Sequence, residues 1–510
     1  MPALQGFCLR LFFFSNGEFT MKFINPLLLC WPLLCYSIAS ESANKTEPAK
    51  PEPNKWQWHY QIADQAMQTA VAKSHAPWLP IKQILEQSIT HAQQSQKPIK
   101  TTVKLPSWNE LEQSIGALPP LQILTQVSPQ GQGISQLHMD AIQHSFTEKE
   151  IKGVLTFKGL QGEIEYVQQL QQPKIDLLLA GLEIKTDQAA QLSLDAVKLK
   201  LSLDAAQNWK SLQFQLPAMR LLDKKEALSL KNLTVQGENQ TTPTGLILSN
   251  NQMNLERLAV KSTEGDGQIE GIAMQMRSQL ADNLVNYVFD IAVKRLSLPP
   301  SVSDINQFSY QSQFLLHKID GEALKAIQQN WRELEKQYQL GMPEELLSIS
   351  FMGKLVEVLP KILAHSPEFH WKTLKIHSNQ GDLVGEFKLK IDGNQPLDFE
   401  NPVLLLSALT AHGQFFMDDT LLKSLVKTQM QHNLAAAPQK FSPAELDKLI
   451  DAEIGHYIAA NQLVKAGKRY QTTLAFQDNV LTVNGQPVAL PPSIALEQQS
   501  LTVKNPKKTP

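Results

Sequence analysis

Bulky apolar residues recur along this chain at i, i+2, i+5 and i+7, with small or polar residues between them. The pattern runs through Leu192, Leu194, Val197 and Leu199; Leu228, Leu230, Leu233 and Val235; and Met253, Leu255, Leu258 and Val260. It returns at Ile291, Val293, Leu296 and Leu298, and at Phe369, Trp371, Leu374 and Ile376, with a looser copy at Leu177, Leu179, Leu182 and Ile184. Period two is the signature of a strand with one apolar face. The single step of three is what one extra residue does to a strand that keeps that face inward, so the copies predict bulged or bent strands. Polar or small pairs such as Lys231-Asn232, Glu256-Arg257 and Lys294-Arg295 occupy the step. The copies start at irregular intervals, which argues against a solenoid of fixed repeat.

Plain alternation extends the β reading over Thr102–Leu105, Leu121–Val127, Ile134–Ile142, Val154–Phe157, Ile164–Val167 and Leu212–Leu216, each bounded by Gly, Pro, Asn or Asp. Helical spacing competes in three places. Trp56 to Leu85 reads as one helix, because Ile62, Ala66, Met67, Ala70 and Val71 fall near helical spacing and Pro77 and Pro80 end the run. Asp320–Leu340 and Pro343–Ala364 carry apolar stripes on either side of Gly341, the second reading as an amphipathic helix through Leu346, Leu347, Phe351, Leu355, Val358, Leu359 and Ile362. Helices are also expected over Asp419–Leu434 and from Ser442 to Asn461, the latter opened by Ser442, Pro443 and a capping-box Glu445. Tyr470–Phe476 and Val480–Val483 flank Gln477-Asp478-Asn479 as a tight hairpin. The class expected is α+β: a large, curved, twisted antiparallel sheet with bulged strands, and amphipathic helices packed on it mainly from the C-terminal half.

One junction occurs twice. His317-Lys318-Ile319-Asp320 precedes Leu324-Lys325 and Ile327, and Phe415-Phe416-Met417-Asp418 precedes Leu422-Lys423 and Leu425 at the same offsets. A strand hands over to a helix in both, with Asp320 and Asp418 as expected N-caps. The domain plan is an export signal over 1–39, a disordered linker over 40–55, one extended β-rich body over 56–488, and a disordered tail over 489–510. The repeated junction raises an internal duplication, about 56–320 and 321–488.

The N-terminus carries the evidence for location. Met21-Lys22 is a short cationic start, Phe23–Ile38 is almost wholly apolar, and Ser37 and Ala39 offer small residues for cleavage. Translation is read as starting at Met21. The alternatives are an uncleaved anchor, with Pro32 in its middle, and lipidation at Cys35, where Pro32 and Leu34 depart from the residues a lipid attachment site prefers. All three cysteines, Cys8, Cys30 and Cys35, fall in this segment, so the body has no disulfide framework or thiolate metal site. A formal charge of −2 with both signs interspersed excludes a basic phosphate-binding stripe, and with it nucleic acid as the expected partner.

Candidate chemistry is sparse. His412, Asp418 and Asp419 lie close in sequence, but helix capping accounts for the aspartates. Gly265-Asp266-Gly267 reads as a turn between strands. Asn44, Asn232 and Asn239 sit in Asn-x-Thr triplets of no expected consequence, and Trp56, Trp58 and Trp78 are read as packing residues. No nucleophile elbow, paired-histidine helix, phosphate loop or dinucleotide fingerprint occurs. No catalytic, cofactor-binding or metal residue is assigned, and no cofactor is implied.

Asp447–Gly485, through Ala459-Ala460-Asn461-Gln462-Leu463-Val464, Gly467-Lys468-Arg469-Tyr470 and Leu481-Thr482-Val483-Asn484-Gly485, resembles the end of the YdgA-like family of Gram-negative envelope proteins. Leu228–Gly237 and Pro367–Gly381 resemble two further family segments, and the likeness spans most of Trp56–Val488. The resemblance implies an envelope protein of unknown function with an N-terminal export or anchor segment. The chain departs from the family by interposing Ser40–Lys55 and by carrying Trp56-Gln57-Trp58-His59-Tyr60, which favours a periplasmic product released from, or loosely held at, the inner membrane.

Three functions remain as expectations. The first is a non-enzymatic envelope protein, a scaffold or a holder of a partner, which could be another envelope protein or a second copy of itself. The second is a lipid-handling protein with a groove on the apolar sheet face. The third is a hydrolase without a familiar motif. Each stepped strand offers about four large side chains worth ~1.5 to 3 kcal/mol apiece on burial, so something must cover that face, and the C-terminal helices are the expected cover.

Overall fold

The first described residues form a hairpin and not the expected helix. The computed structural model describes residues 55–488 apart from 73–77, 105–118, 149–150, 169, 206–207, 264, 300–303, 340–341, 396–405 and 435–441. The expected signal, nearly all of the linker, and the tail lie outside the described residues. Strands β1 (Lys55–Ile62) and β2 (Gln65–Ala72) pair around Ala63-Asp64, with Ala63 at φ 49°. Trp58, Tyr60 and Ile62 are buried while His59 and Gln61 are exposed, so the period is two and the helical spacing was coincidental. The helix starts later, at α1 (Trp78–Ser95). Pro80 stands in its first turn, where a missing N–H costs nothing, so the proline read as a stop marks a start.

Two compact units follow. One takes the described residues up to 236 with 336–343, the other 237–335 and 344–488. Strand β14 (Glu226–Thr241) carries the chain across that boundary. Among the described residues the strands pair antiparallel, and the class is α+β.

In the first unit α1 lies on β1, β3 (Ile99–Lys104) and β4 (Leu121–Val127), burying Ile84, Leu85, Ile89 and Ala92 against Trp58, Ile62, Val103 and Ile123. Tyr60 Oη donates to Gln87 Oε1 at 2.7 Å, and Ser88 and Thr101 hydroxyls meet at 2.7 Å, whereas the buried Trp58 Nε1 finds no acceptor among the described residues.

Beyond β4 the strands are β5 (Gln132–Met139), β6 (Ile142–Glu148), β7 (Ile151–Phe157), β8 (Leu160–Val167), β9 (Gln171–Leu179), β10 (Leu182–Thr186), β11 (Gln191–Leu194), β12 (Val197–Leu203) and β13 (Trp209–Asp223). Here the step of three is not an extra residue. Leu179 pairs with Val197 and Leu182 with Leu194, so two stepped copies lie antiparallel with their steps opposed and their register intact. The same step falls at Phe157 to Leu160 and at Met139 to Ile142, again in matched register. Strand β13 completes the series with a further copy at the same spacing, Phe214, Leu216, Met219 and Leu221. The result is a crease across five neighbouring lines of strand. Gly159 (φ 99°) and Gly181 (φ 137°) make the turn, and Pro217, which cannot donate to a ladder, sits on it. Ala180 N donates to Gly159 O and Lys158 N to Gly181 O, so the crease keeps its backbone bonds.

The second unit is built on long strands: β15 (Ile247–Lys261), β16 (Gly267–Ala281), β17 (Leu284–Ser297), β18 (Gln307–Asp320), β19 (Glu368–Ser378), β20 (Gly381–Ile391) and β21 (Leu409–Asp418), each paired to the next. The steps of β15, β16 and β17 again match, with Leu255 opposite Ile272 and Ile272 opposite Val293. Gly271 (φ 62°) stands at that step. Against β18 the match ends: Val293 pairs with Tyr310 and Leu296 with Phe308, so β17 carries one residue more, as bulging predicts. The copy in β19 is bulged against both neighbours. Gly265 and Asp266 lie in the connection between β15 and β16, with Ser262 Oγ donating to Gly265 O, as the turn reading expected.

The helices of this unit are α2 (Gly321–Gln339), α3 (Glu344–Ala364), α4 (Asp419–Leu434) and α5 (Pro443–Ala459). Strands β18 and β21 run directly into α2 and α4, so the handover is real at both junctions. Asp320 caps α2 through Oδ1, which accepts from Ala323 N at 2.7 Å. Asp418 does not cap α4: its carboxylate accepts from Asp382 N (2.9 Å) and Arg469 Nε (2.7 Å), tying β20 and β21 to β23 (Arg469–Gln477). Those two donors hold its pKa below the ordinary carboxylate value, the backbone N–H of Asp382 contributing most. The Ser442 capping box forms as expected.

The chain closes through β23, β24 (Val480–Val483) and β25 (Gln486–Val488), joined by Asp478-Asn479 and Asn484-Gly485, all four residues at positive φ. Asn484 reaches back to the end of α5. Its Nδ2 donates to Asn461 O (2.8 Å), Asn461 Nδ2 donates to Val483 O (3.1 Å), and Thr473 N donates to Asn484 Oδ1 (2.7 Å). The two asparagines of the family-like segment thus form one clasp.

Candidate functional site

The long strands β15–β21 present their apolar residues in rows running from strand to strand. One row is Met276, Phe289, Phe314, Trp371 and Phe387, each paired with the next. A second is Met253, Met274, Ile291, Ser312 and Leu374, and a third Leu255, Ile272, Val293, Tyr310 and Ile376. Phe314 stacks on Trp371 at 5.3 Å and on Phe369 at 6.1 Å, and Tyr287 on Phe289 at 5.9 Å. Space for the rings comes from glycine. A Cβ on Gly385 would fall 2.3 Å from the Phe415 ring, and one on Gly413 would fall 2.9 Å from the Phe387 ring. The buried Ser312 Oγ accepts from Trp371 Nε1 at 2.6 Å, so these rows offer little free polar chemistry.

Among the described residues, helices cover the ends of these rows and not their middle. Leu324 of α2 and Ile362 of α3 pack with Leu246, Val285, Ile319, Tyr287 and Leu316. Val426 of α4 and Ile450 and Ile454 of α5 pack with Tyr470. Between them Met276, Phe289, Phe314, Trp371 and Phe387 are only half-buried and Met274 is 40% exposed, whereas Trp58, Ile62 and Ile123 under α1 are at 0–1%. At two residues per ~6.8 Å along a strand and ~4.8 Å between strands, three rows over five strands cover ~500 Å². That is the size of the largest apolar patch on an ordinary monomer, ~300 to 600 Å², which is often functional.

The opposite face is polar. Gln252, Asn254, Gln275, Gln311 and Gln313 surround Ala273 and Ala292 in a hollow of about 210 Å³, with Asp290 held by Arg277 Nη2 (2.9 Å) and Gln313 Nε2 (2.7 Å). At one end Glu368 is clamped by Lys318 Nζ (2.7 Å) and Lys388 Nζ (3.0 Å). Its hydrogen bond from Lys318, helped by Lys388, lowers its pKa to about 2. His370 is pushed below its ordinary value by burial and then by Lys388.

The residues weighed in sequence do not assemble into a reaction centre. His412 is exposed in mid-strand on β21, Asp418 six residues on is engaged with Arg469, and Asp419 opens α4 beside Lys423. Among the described residues, no three His, Cys, Asp or Glu side chains come together to hold a metal ion. A hollow of about 630 Å³ in the first unit is lined by residues that include Gln126, Gln132, Glu165, Tyr166 and Lys174, with Lys174 and Glu165 paired at 3.3 Å. The apolar rows were visible only in part from sequence. The alternation Leu383, Phe387, Leu389, Ile391 with Glu386, Lys388 and Lys390 between was the signal for β20, and Gly385 interrupted it.

No curated protein and no solved structure matches the chain. A family model does, over residues 98–491, which takes in both the crease and the apolar rows, and the chain therefore belongs to the family described as bacterial protein of unknown function (DUF945).

Proposed function

We propose that this is a YdgA-like, non-enzymatic protein of the cell envelope that holds the hydrocarbon chain of a lipid against the aromatic rows of β16–β20. The observation that carries the proposal is the half-buried state of Met276, Phe289, Phe314, Trp371 and Phe387, where a helix-covered core would have buried them. A scaffold whose helices closed this face would show the 0–1% exposure found under α1. The chemistry of the face favours an acyl chain over an extended peptide. A peptide laid on it would bring N–H and C=O groups to a surface with almost no partner for them, at a cost of ~1 to 3 kcal/mol each, whereas hydrocarbon brings none. The apolar run Phe23–Ile38 behind Met21-Lys22 supports export to the periplasm, beside the inner membrane that would supply the lipid.

Lipid extraction and mass spectrometry on the purified full chain test the reading. Phospholipid or fatty acid should be recovered in stoichiometric amount and be depleted several-fold in Phe314→Glu. Recovery at background in the unmodified protein, or equal recovery from the variant, overturns it.

A further inference from the structure

Helix α3 has two apolar faces. One, through Phe351, Leu355, Val358 and Ile362, packs inward: Val358 is buried and Ile362 joins Val285 and Ile319. The other is bare. Leu346, Ile349, Met352 and Val356 are 54, 69, 55 and 53% exposed. At ~100° per residue they fall within a ~120° arc on the far side of the helix from Phe351 and Ile362. Gly353 lies inside the same arc, and a Cβ built there would meet nothing within 4 Å.

We propose that this face is a two-fold contact between copies of the chain, with α3 crossing its partner helix at Gly353. A glycine in mid-helix is unfavourable by about 1 kcal/mol relative to alanine, and at an exposed apolar position its gain is close approach of another backbone. A bilayer surface draws no benefit from a missing side chain. It would also favour cations flanking the apolar arc, yet both lysines of α3, Lys354 and Lys361, fall outside it, and Ser348 and Glu357 stand on its borders. The area suffices for a modest dimer. The four side chains expose ~100 Å² each, and with Ser348, Ser350, Gly353 and Glu357 each copy gives up ~500 to 600 Å², which places the pair just above the ~1,000 Å² where specific interfaces begin. The patch is uncharged at its centre, so a self-complementary pairing places no like charges face to face.

Sedimentation velocity on the full chain between ~1 and ~100 μM tests this, since an interface of this size gives micromolar association. The expected result is a monomer–dimer equilibrium that Ile349→Glu and Gly353→Leu each weaken at least tenfold, with unchanged circular dichroism and with a monomer that melts no lower in Gly353→Leu, because that position is open in the single chain and leucine favours the helix. A chain with Gly353→Cys and with Cys8, Cys30 and Cys35 replaced by Ser should cross-link to a dimer on mild oxidation. Monomer at every concentration, or a dimer that both substitutions leave intact, overturns the proposal. So does a monomer that floats with vesicles of equal parts phosphatidylethanolamine and phosphatidylglycerol and loses flotation in Ile349→Glu, which would assign the face to a membrane.

Discussion

Replacing Asn484 by alanine tests whether the clasp between α5 and the last hairpins holds the C-terminal end of the sheet. Two hydrogen bonds go with the side chain: Thr473 N to Oδ1 at 2.7 Å and Nδ2 to Asn461 O at 2.8 Å. At ~0.5 to 1.5 kcal/mol each they account for ~1 to 3 kcal/mol. Asn484 also stands at φ 50°, where alanine costs about 1 kcal/mol more than asparagine. The expected loss is therefore ~2 to 4 kcal/mol, or roughly 30- to 700-fold in the local opening equilibrium. Because the chain divides into two units, a single global unfolding energy is not the quantity to measure. Hydrogen exchange of the amides of Thr473 and Val480–Val488 reads the opening directly. Asn484→Gly removes the same bonds without the backbone cost and should sit about 1 kcal/mol above the alanine variant. Exchange within twofold of the unmodified chain in Asn484→Ala would show that the clasp is ornamental and that β23 is held by its strand pairings alone.

Two further outcomes follow from the same kind of accounting. Glu368 has a folded pKa of about 2, below its ordinary value, so its contribution is complete above pH ~4.5 and is lost as pH falls toward 2. Allowing for the partly exposed lysines, Glu368→Gln should cost ~1 to 2 kcal/mol at neutral pH, and the difference from the unmodified protein, in urea titrations that follow the second unit, should shrink as pH falls through ~2 and vanish only below it. Gly181→Ala places a Cβ 3.0 Å from Leu194 O at φ 137°, so the crease should lose ~1 to 3 kcal/mol, read as an earlier thermal transition in the first unit.

The sequence displayed its strands more readily than what they do with their steps. Leu121–Val127 is bounded as expected, as are the Asp478-Asn479 hairpin and the Asp419 start of α4, because each is written in residues that touch their determinants locally. Ser442 and Asp320 cap as their neighbours predict. The failures share a cause: a residue whose role is fixed by a distant partner. Asp418 has the same sequence offsets as Asp320, yet Arg469, fifty-one positions away, and the Asp382 amide take its carboxylate. Trp58, Tyr60 and Ile62 alternate in a stretch where alanines also fit a helix, and only the later strand β3 and helix α1 decide between them. The stripe expected on α3 took in both Leu346 and Leu347, but neighbours on a helix stand ~100° apart, and the fold leaves Leu346 exposed while Leu347 is half-buried.

A three-residue step can be absorbed in two ways, and the difference explains why the same sequence signal serves two structures. If the neighbouring strand steps too, register survives and the strands fold along a line, as from Met139 to Met219. If it does not, the extra residue protrudes and one strand bends alone, as β19 does between β18 and β20. A crease brings the apolar residues on its two sides toward each other, and the first unit accordingly buries Phe157, Leu179, Leu194 and Leu216 along it. An isolated bulge brings no such closure, and Trp371, at the bulge of β19, stays half-buried with Phe314 and Phe387 beside it. Filling in the crease would require matched steps in β18 and β20. Deleting Lys372 or Thr373 would instead leave a step of two, so β19 would pair without a bulge against β18 and β20 and keep the Phe369 and Trp371 pair on the same face as Leu374 and Ile376. Around β19 the open face therefore goes with mismatch between neighbours, which no single strand's sequence can display.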